Sequence, residues 1–384
     1  MAKIKLTAMD LKIDEAVEHS IYDGEDRLIL KPGTVIHSEK QIESLLRSGA
    51  YRYDEDDIET QKRRSISGAA AIKVSNDLQN LTPFDVIHNI FQRLRLLFET
   101  MNQEPFEIEE QTKSIAKIII NLFRRDQEAL IGAIRLMHEY DYTLCHPVHT
   151  AIISTMIANQ LKYSFKKTVR LICAALTQNI SMNDLQRQLQ DQKERLTKVQ
   201  QEAVTCHPAA SRTILETCEV TDERWLQIVE QHHEQVDGLG YPNSLLGDNI
   251  LEEARIIGIA DKYSAMISGR THRPGMHNND VIKKIGSERG KETDAKLTMI
   301  LIGALGVYPP GSFVSLTNGE IGVVIRRSID PKRPIVSCYS DNMGKKLHKP
   351  VIRNLDTQGL DIKDHIVPEK SLRLDINLLW GFNR

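Results

Sequence analysis

Residues 232–261 read HHEQVDGLGYPNSLLGDNILEEARIIGIAD, and this stretch limits the fold more than any other. His232, His233 and Glu234 close the apolar-rich segment 225–229 and run directly into Asp237-Gly238-Leu239-Gly240-Tyr241-Pro242. Asp-Gly, and then Gly240 before Tyr-Pro, are turn signals: glycine takes positive φ without steric cost, and proline fixes φ and stops helices. Residues 251–260 then read as a helix that delivers Asp261 at its end. Two imidazoles at one helix end, a sharp loop and a returning carboxylate make a donor set suited to Zn, Fe or Mn.

The rest of the chain supplies a large helical core. Between residues 76 and 137, Phe84, Ile87, Ile90-Phe91, Leu94 and Leu97-Phe98, then Ile115, Ile118-Ile119 and Leu122-Phe123, keep the three-to-four spacing of one-sided apolar helices. Such stripes bury either against the core or against a second copy of the chain, so a homodimer is one expected arrangement. Val148, Ile152-Ile153 and Met156-Ile157 continue the pattern through 140–305, and Thr197 is placed to cap a helix beginning at 198.

Both ends differ from this core. Residues 28–36 read as strand, Pro-Gly turn, strand, and 40–48 as a short helix stopped by Gly49. A polar, charged segment to about residue 75 reads as a linker. After Pro309-Pro310-Gly311 the pattern turns to β, with Asn318-Gly319 marking a hairpin. The expected class is mainly α: a helical core (76–307), a small N-terminal mixed unit with linker (1–75) and a small C-terminal β unit (308–384).

Bulk composition excludes several roles. With 50 basic and 52 acidic side chains in 384 residues, net charge is −2, which gives no general drive toward DNA, RNA or anionic membrane. No apolar run approaches the roughly 18–20 residues of a membrane span, and the N-terminus lacks a secretory apolar stretch; a cytoplasmic location is expected. The five cysteines, Cys145, Cys173, Cys206, Cys218 and Cys338, show no CxxC spacing and read as small buried hydrophobes.

HHE followed by DGLGYP, then ARIIGIADKYSAM, with CHPVHTAIIS at 145–154 and LTKVQQEAVTCHPAASRTIL at 196–215, resembles the HD-GYP family over about residues 140–310. That family comprises bacterial cyclic di-GMP phosphodiesterases, a branch of the HD-domain metal phosphohydrolases. The resemblance implies metal ligands at His146, His207, His232, His233 and Asp261. It implies that Asp237, Gly238, Gly240, Tyr241 and Pro242 border a nucleotide pocket or contact GGDEF diguanylate cyclases, with the Tyr241 ring free to stack.

The resemblance fails where the family reads AALLHDIGK. This chain reads Ala174-Ala175-Leu176-Thr177-Gln178-Asn179-Ile180-Ser181-Met182. Gln178 stands for the histidine, Asn179 for the metal-bridging aspartate and Met182 for a phosphate-holding lysine. A neutral amide cannot offset the repulsion of two cations as a shared carboxylate does. Tyr142 stands where trinuclear members carry Glu, and Ser264 replaces a second acid. Asp184 is nearby but out of register with the bridging position, and is at most a candidate substitute for it. Arg255, Arg270 and Arg273 are candidate phosphate contacts or ordinary ion pairs.

The remaining set, four imidazoles and one carboxylate, holds one divalent metal (Fe, Mn or Zn), none, or a two-metal centre. Three functions stay open. The first is a degenerate HD-GYP protein that binds cyclic di-GMP, a related nucleotide or a partner protein with little or no hydrolysis. The second is an active metal-dependent phosphodiesterase. The third is an inert interaction module.

Overall fold

The computed structural model describes residues 3–7, 10–17, 21–24, 28–31, 33–53, 78–101, 107–269, 275–368 and 372–382. The expected linker to residue 75 and the candidates Arg270 and Arg273 lie outside these residues. Two units form, Met1–Leu81 and Thr82–Arg384.

In the first unit, short strands β1 (Lys3–Lys5), β2 (Ile21–Tyr22), β3 (Leu28–Leu30) and β4 (Tyr51–Tyr53) make an antiparallel sheet in the order β1-β4-β2-β3. Helix α1 (Glu39–Arg47) starts where the Ser38 side chain accepts Gln41 N–H. Gly49, at φ +72°, follows its end. Leu6, Leu11, Ile21, Ile36, Leu45 and Ala50 form a core. The hairpin expected over 28–36 is not formed: β3 pairs with β2, and Val35 bridges Ala16 instead. Apolar alternation marks extended chain without choosing its partner.

The second unit is built of helices opened by side-chain caps. Thr82 caps α2 (Pro83–Thr100), Asp126 caps α4 (Gln127–Leu136), which follows α3 (Ile108–Arg125), and Asp141 caps α5 (Tyr142–Gln160). Ser164 caps α6 (Phe165–Thr177), which leads through a 3₁₀ turn (Ile180–Met182) into α7 (Asn183–Asp191). Thr197 and Gln200 form a reciprocal capping box on α8 (Lys198–Thr217), and Asp222 caps α9 (Glu223–Gln231). Helices α10 (Glu252–Ile267), α11 (Asn278–Glu288) and α12 (Ala295–Leu305) complete the set.

Helix α5 is the spine. Every residue from Thr143 to Ala158 is buried, as expected of a helix apolar on all faces, and α6, α10 and α12 pack around it. Because α10 runs on to Ile267, Asp261 sits within it rather than at its end; the helix has no breaker at that point, and packing on α5 sustains it.

Five antiparallel strands, β5 (Phe313–Leu316), β6 (Ile321–Arg326), β7 (Ile335–Ser340), β8 (Lys346–Asn354) and β9 (Ile362–His365), are ordered β8-β7-β6-β5-β9. Gly319, at φ +89°, turns the expected β5–β6 hairpin. Short helix α13 (Leu355–Gln358) lies between β8 and β9, and α14 (Ile376–Leu379) follows β9. Arg327 pairs with Glu128 of α4, and a Cβ at Gly132 would lie 2.7 Å from the Trp380 ring. The sheet thus docks on the helical body through α4. Among the described residues no helix is long and apolar enough to cross a membrane.

Candidate metal centre

Five segments converge on one polar cluster. Helix α5 brings His146, the end of α6 brings Gln178 and Asn179, α8 brings His207, the end of α9 brings His232 and His233, and α10 brings Asp261. Gly258 lets α10 approach the end of α9, since a Cβ there would lie 2.8 Å from the His232 carbonyl oxygen. Trp225 Nε1–H donates to Thr177 Oγ1 at 2.9 Å, tying α9 to α6 one residue before Gln178.

The cluster divides in two. The first half is His207, His232 and His233, whose candidate ligand atoms all lie within 4.8 Å of one another. His207 Nδ1 is 2.6 Å from the Val204 carbonyl, and His232 Nδ1 is 2.6 Å from the Val229 carbonyl. A carbonyl oxygen only accepts, so both Nδ1 atoms carry hydrogen. Burial pulls the pKa of His207 down to about 3 and lowers that of His232, so both rings are neutral. Their Nε2 atoms therefore face each other at 3.2 Å as two lone pairs, not as a hydrogen bond. Two imidazoles on one tetrahedral metal with bonds of about 2.05 Å hold their nitrogens about 3.3 Å apart. The donor chemistry and spacing fit a single divalent ion. Burial also lowers His233 well below the usual histidine range, and its ring stacks on Tyr241 at 4.8 Å and 22°.

The second half is closed on itself. His146 Nε2 lies 2.7 Å from Asp261 Oδ1, and Gln178 Nε2 donates to the same oxygen at 2.9 Å. Tyr142 hydroxyl sits 3.2 Å from His146 Nδ1, its ring stacked on the imidazole at 5.1 Å. Burial pushes the Asp261 carboxyl up, but the surrounding imidazoles, His146 foremost, more than reverse this and hold it below the usual carboxylate range. The carboxylate expected to ligate metal is thus an acceptor for a neutral amide and an imidazole. Gln178 Oε1 and Asn179 Oδ1 are buried without a hydrogen-bond partner.

The other candidates separate. Met182 is buried as the last residue of the 3₁₀ turn, while Ser181 Oγ donates to the His207 carbonyl at 3.0 Å. Asp184 is not a substitute bridge: its side chain is 91% exposed and pairs with Arg187. Arg255 is engaged by Asp294 at 2.8 Å and Asp248 at 3.1 Å, an ion pair rather than a free phosphate contact. Cys145, Cys173, Cys218 and Cys338 are buried, but Cys206, before His207, is exposed because the outer face of α8 is uncovered.

The Asp237–Pro242 loop is held from beneath. Buried Glu234 accepts Asn243 N–H at 2.6 Å and Leu245 N–H at 2.9 Å. Gly238 is at φ +79°, and a Cβ on Gly240 would lie 2.5 Å from Glu234 Cα. The Tyr241 ring is not free: it is half-buried against His233. The loop instead exposes Leu239 (80%) and, beside it, Leu246 (60%). The part of Glu234 as a loop clamp was not foreseen from the sequence, although its place after the histidine pair was a signal; Gly258 and Thr177 carried none.

Comparison with known proteins agrees with this architecture. The HD domain family model matches residues 117–297. A cyclic di-GMP phosphodiesterase, PdeB, of Borreliella burgdorferi is 28% identical over 194 residues, covering 50% of this chain and 50% of that protein. A cyclic di-GMP phosphodiesterase of Pseudomonas aeruginosa is 27% identical over 203 residues, covering 53% and 49%. The chain spans about half the length of these curated relatives. The solved structure of an HDG"Y"P protein from Bdellovibrio bacteriovorus shares the fold, with a TM-score of 0.51 at 18% identity over 79% of this chain and 99% of that one. The helical core is an HD domain. With its DGLGYP loop in place, the chain is similar to HD-GYP proteins.

Proposed function

We propose that this protein acts in cyclic di-GMP signalling by binding the nucleotide or a partner protein, with little or no hydrolysis. The observation that carries this reading is the Gln178–Asp261 hydrogen bond. A two-metal phosphohydrolase needs a shared anion to hold both ions against their repulsion and to activate water between them. Here that position is the neutral Asn179, and the nearby carboxylate is engaged by an amide and an imidazole. His207, His232 and His233 would hold one divalent ion, Fe, Mn or Zn, which when bound supplies Lewis acidity toward a phosphate oxygen. The chain's own residues orient the ligand: Glu234 holds the loop, and Tyr241 braces His233. Titration calorimetry with cyclic di-GMP and pull-down of GGDEF diguanylate cyclases test the reading; binding to neither removes its support.

A second reading, an active phosphodiesterase, is favoured by the 3.2 Å Nε2–Nε2 spacing, which suits a metal that could activate water alone. Turnover of cyclic di-GMP with added Mn²⁺ or anaerobic Fe²⁺, abolished by His233→Ala, would establish it.

A further inference from the structure

Cys-His-Pro occurs twice in the chain, at 145–147 in α5 and at 206–208 in α8. Each proline lies inside its helix. A proline has no N–H, so the carbonyl four residues earlier loses its helical donor. For Pro147 that carbonyl belongs to Thr143; for Pro208 it belongs to Val204.

In α8 the freed Val204 carbonyl is taken by the His207 ring, Nδ1 to oxygen at 2.6 Å. We propose that Pro208 is a positioning residue: by stripping the Val204 carbonyl of its amide partner, it fixes His207 as the Nδ1–H tautomer and aims the Nε2 lone pair into the three-histidine cluster. This role rests on the metal reading of that cluster only for its purpose; the tautomer stands on geometry alone. Any other residue at 208 would return its own N–H to Val204, and the imidazole would compete for that oxygen. With that oxygen contested, the hydrogen on Nδ1 would no longer be pinned and would be free to move to Nε2, where it would cover the lone pair a metal needs.

The α5 copy shows what happens when another pair of partners captures the ring. The Tyr142 ring, one turn earlier, stacks on His146 at 5.1 Å and 18° and presents its hydroxyl to Nδ1 at 3.2 Å. Asp261 meets Nε2 at 2.7 Å. The same tripeptide thus yields a ring whose Nε2 meets a carboxylate instead of the three-histidine cluster. The two copies engage their rings differently, through Nδ1 on a backbone carbonyl in α8 and through Nε2 on a carboxylate in α5, and the flanking residues decide which. His232 reaches the same Nδ1–H state as His207 by another route, since the Val229 carbonyl it uses lies in the last turn of α9, where carbonyls lack helical donors.

The test uses the full chain, metal-free and labelled with ¹⁵N-histidine. Long-range ¹⁵N–¹H correlation is expected to show His207 and His232 as Nδ1–H tautomers. In Pro208→Ala, His207 alone should shift toward Nε2–H, with His232 unchanged as the internal reference. Zn²⁺ affinity should fall by about 10–100-fold, the scale of losing a partner that orients a ligand. The variant should melt at the same or a higher temperature, because a helix interior favours alanine over proline. Weakened metal binding in a chain at least as stable is an outcome that a merely structural proline would not give. If Pro208→Ala keeps His207 as Nδ1–H, the proposal is overturned. The wild-type Zn²⁺ titration judges the metal reading separately: a chain with the expected tautomers that binds no metal would sink that reading and leave the role of Pro208 intact.

Discussion

Gln178 Nε2 donates to Asp261 Oδ1 at 2.9 Å, the same oxygen that His146 Nε2 approaches at 2.7 Å. One neutral amide therefore occupies the carboxylate that a dinuclear centre would draw on. Restoring Gln178→His and Asn179→Asp together should add one bound Mn²⁺ ion per chain. Phosphodiesterase turnover should rise by about 10²-fold or more, since a second Lewis acid supplies several kcal/mol at the transition state. Metal analysis with a cyclic di-GMP turnover assay checks both; if neither moves, Met182→Lys is the next restoration to add.

His207→Ala and His232→Ala should each abolish tight binding of a single divalent ion, losing more than the roughly 10–100-fold that outer partners cost. His146→Ala should weaken it far less, because that ring is directed at Asp261. Equilibrium dialysis with Zn²⁺ distinguishes them, and equal losses in all three would contradict the division of the cluster into two halves.

His149 is fully buried on α5, and neither ring nitrogen has a hydrogen-bond partner. Burial holds its pKa well below the usual histidine value of about 6.5. The unfolded chain then takes up a proton below pH 6.5 that the folded chain refuses, so stability falls as the pH drops below that value. His149→Leu should flatten this loss and raise the melting temperature most at acid pH. Thermal melts of both proteins from pH 7.5 to 5 check it; parallel curves would show that His149 is not the group responsible.

A Cβ at position 240 would overlap the Gln235 nitrogen and lie 2.5 Å from Glu234 Cα. Both are backbone atoms that cannot step aside. Gly240→Ala should destabilise the protein by about 1–3 kcal/mol and disturb the amide hydrogens that Glu234 accepts from Asn243 and Leu245. Hydrogen exchange at those two amides, with a denaturant melt, reads both effects.

The local grammar of the chain is legible in its residues alone. Thr197, Gly49 and Asn318-Gly319 stop or start elements where capping and turn chemistry require, since those preferences depend on a residue and its near neighbours. The ligand types at His207, His232 and His233, and the loss of charge at Gln178 and Asn179, are likewise written in residue identity. What residues 28–36 pair with, how far α10 runs past Asp261 and which face of Tyr241 is covered are not, because each is settled by distant segments that local propensity does not see.

The sequence by itself determined which atoms could ligate a metal and which charges are missing, because those are properties of side-chain chemistry. Only the tertiary structure decided that His146 and Asp261 satisfy each other while His207 and His232 face lone pair to lone pair. A hydrogen bond between residues 115 apart in sequence depends on the packing of α5 against α10, and on the missing Cβ of Gly258 that lets α10 meet the end of α9.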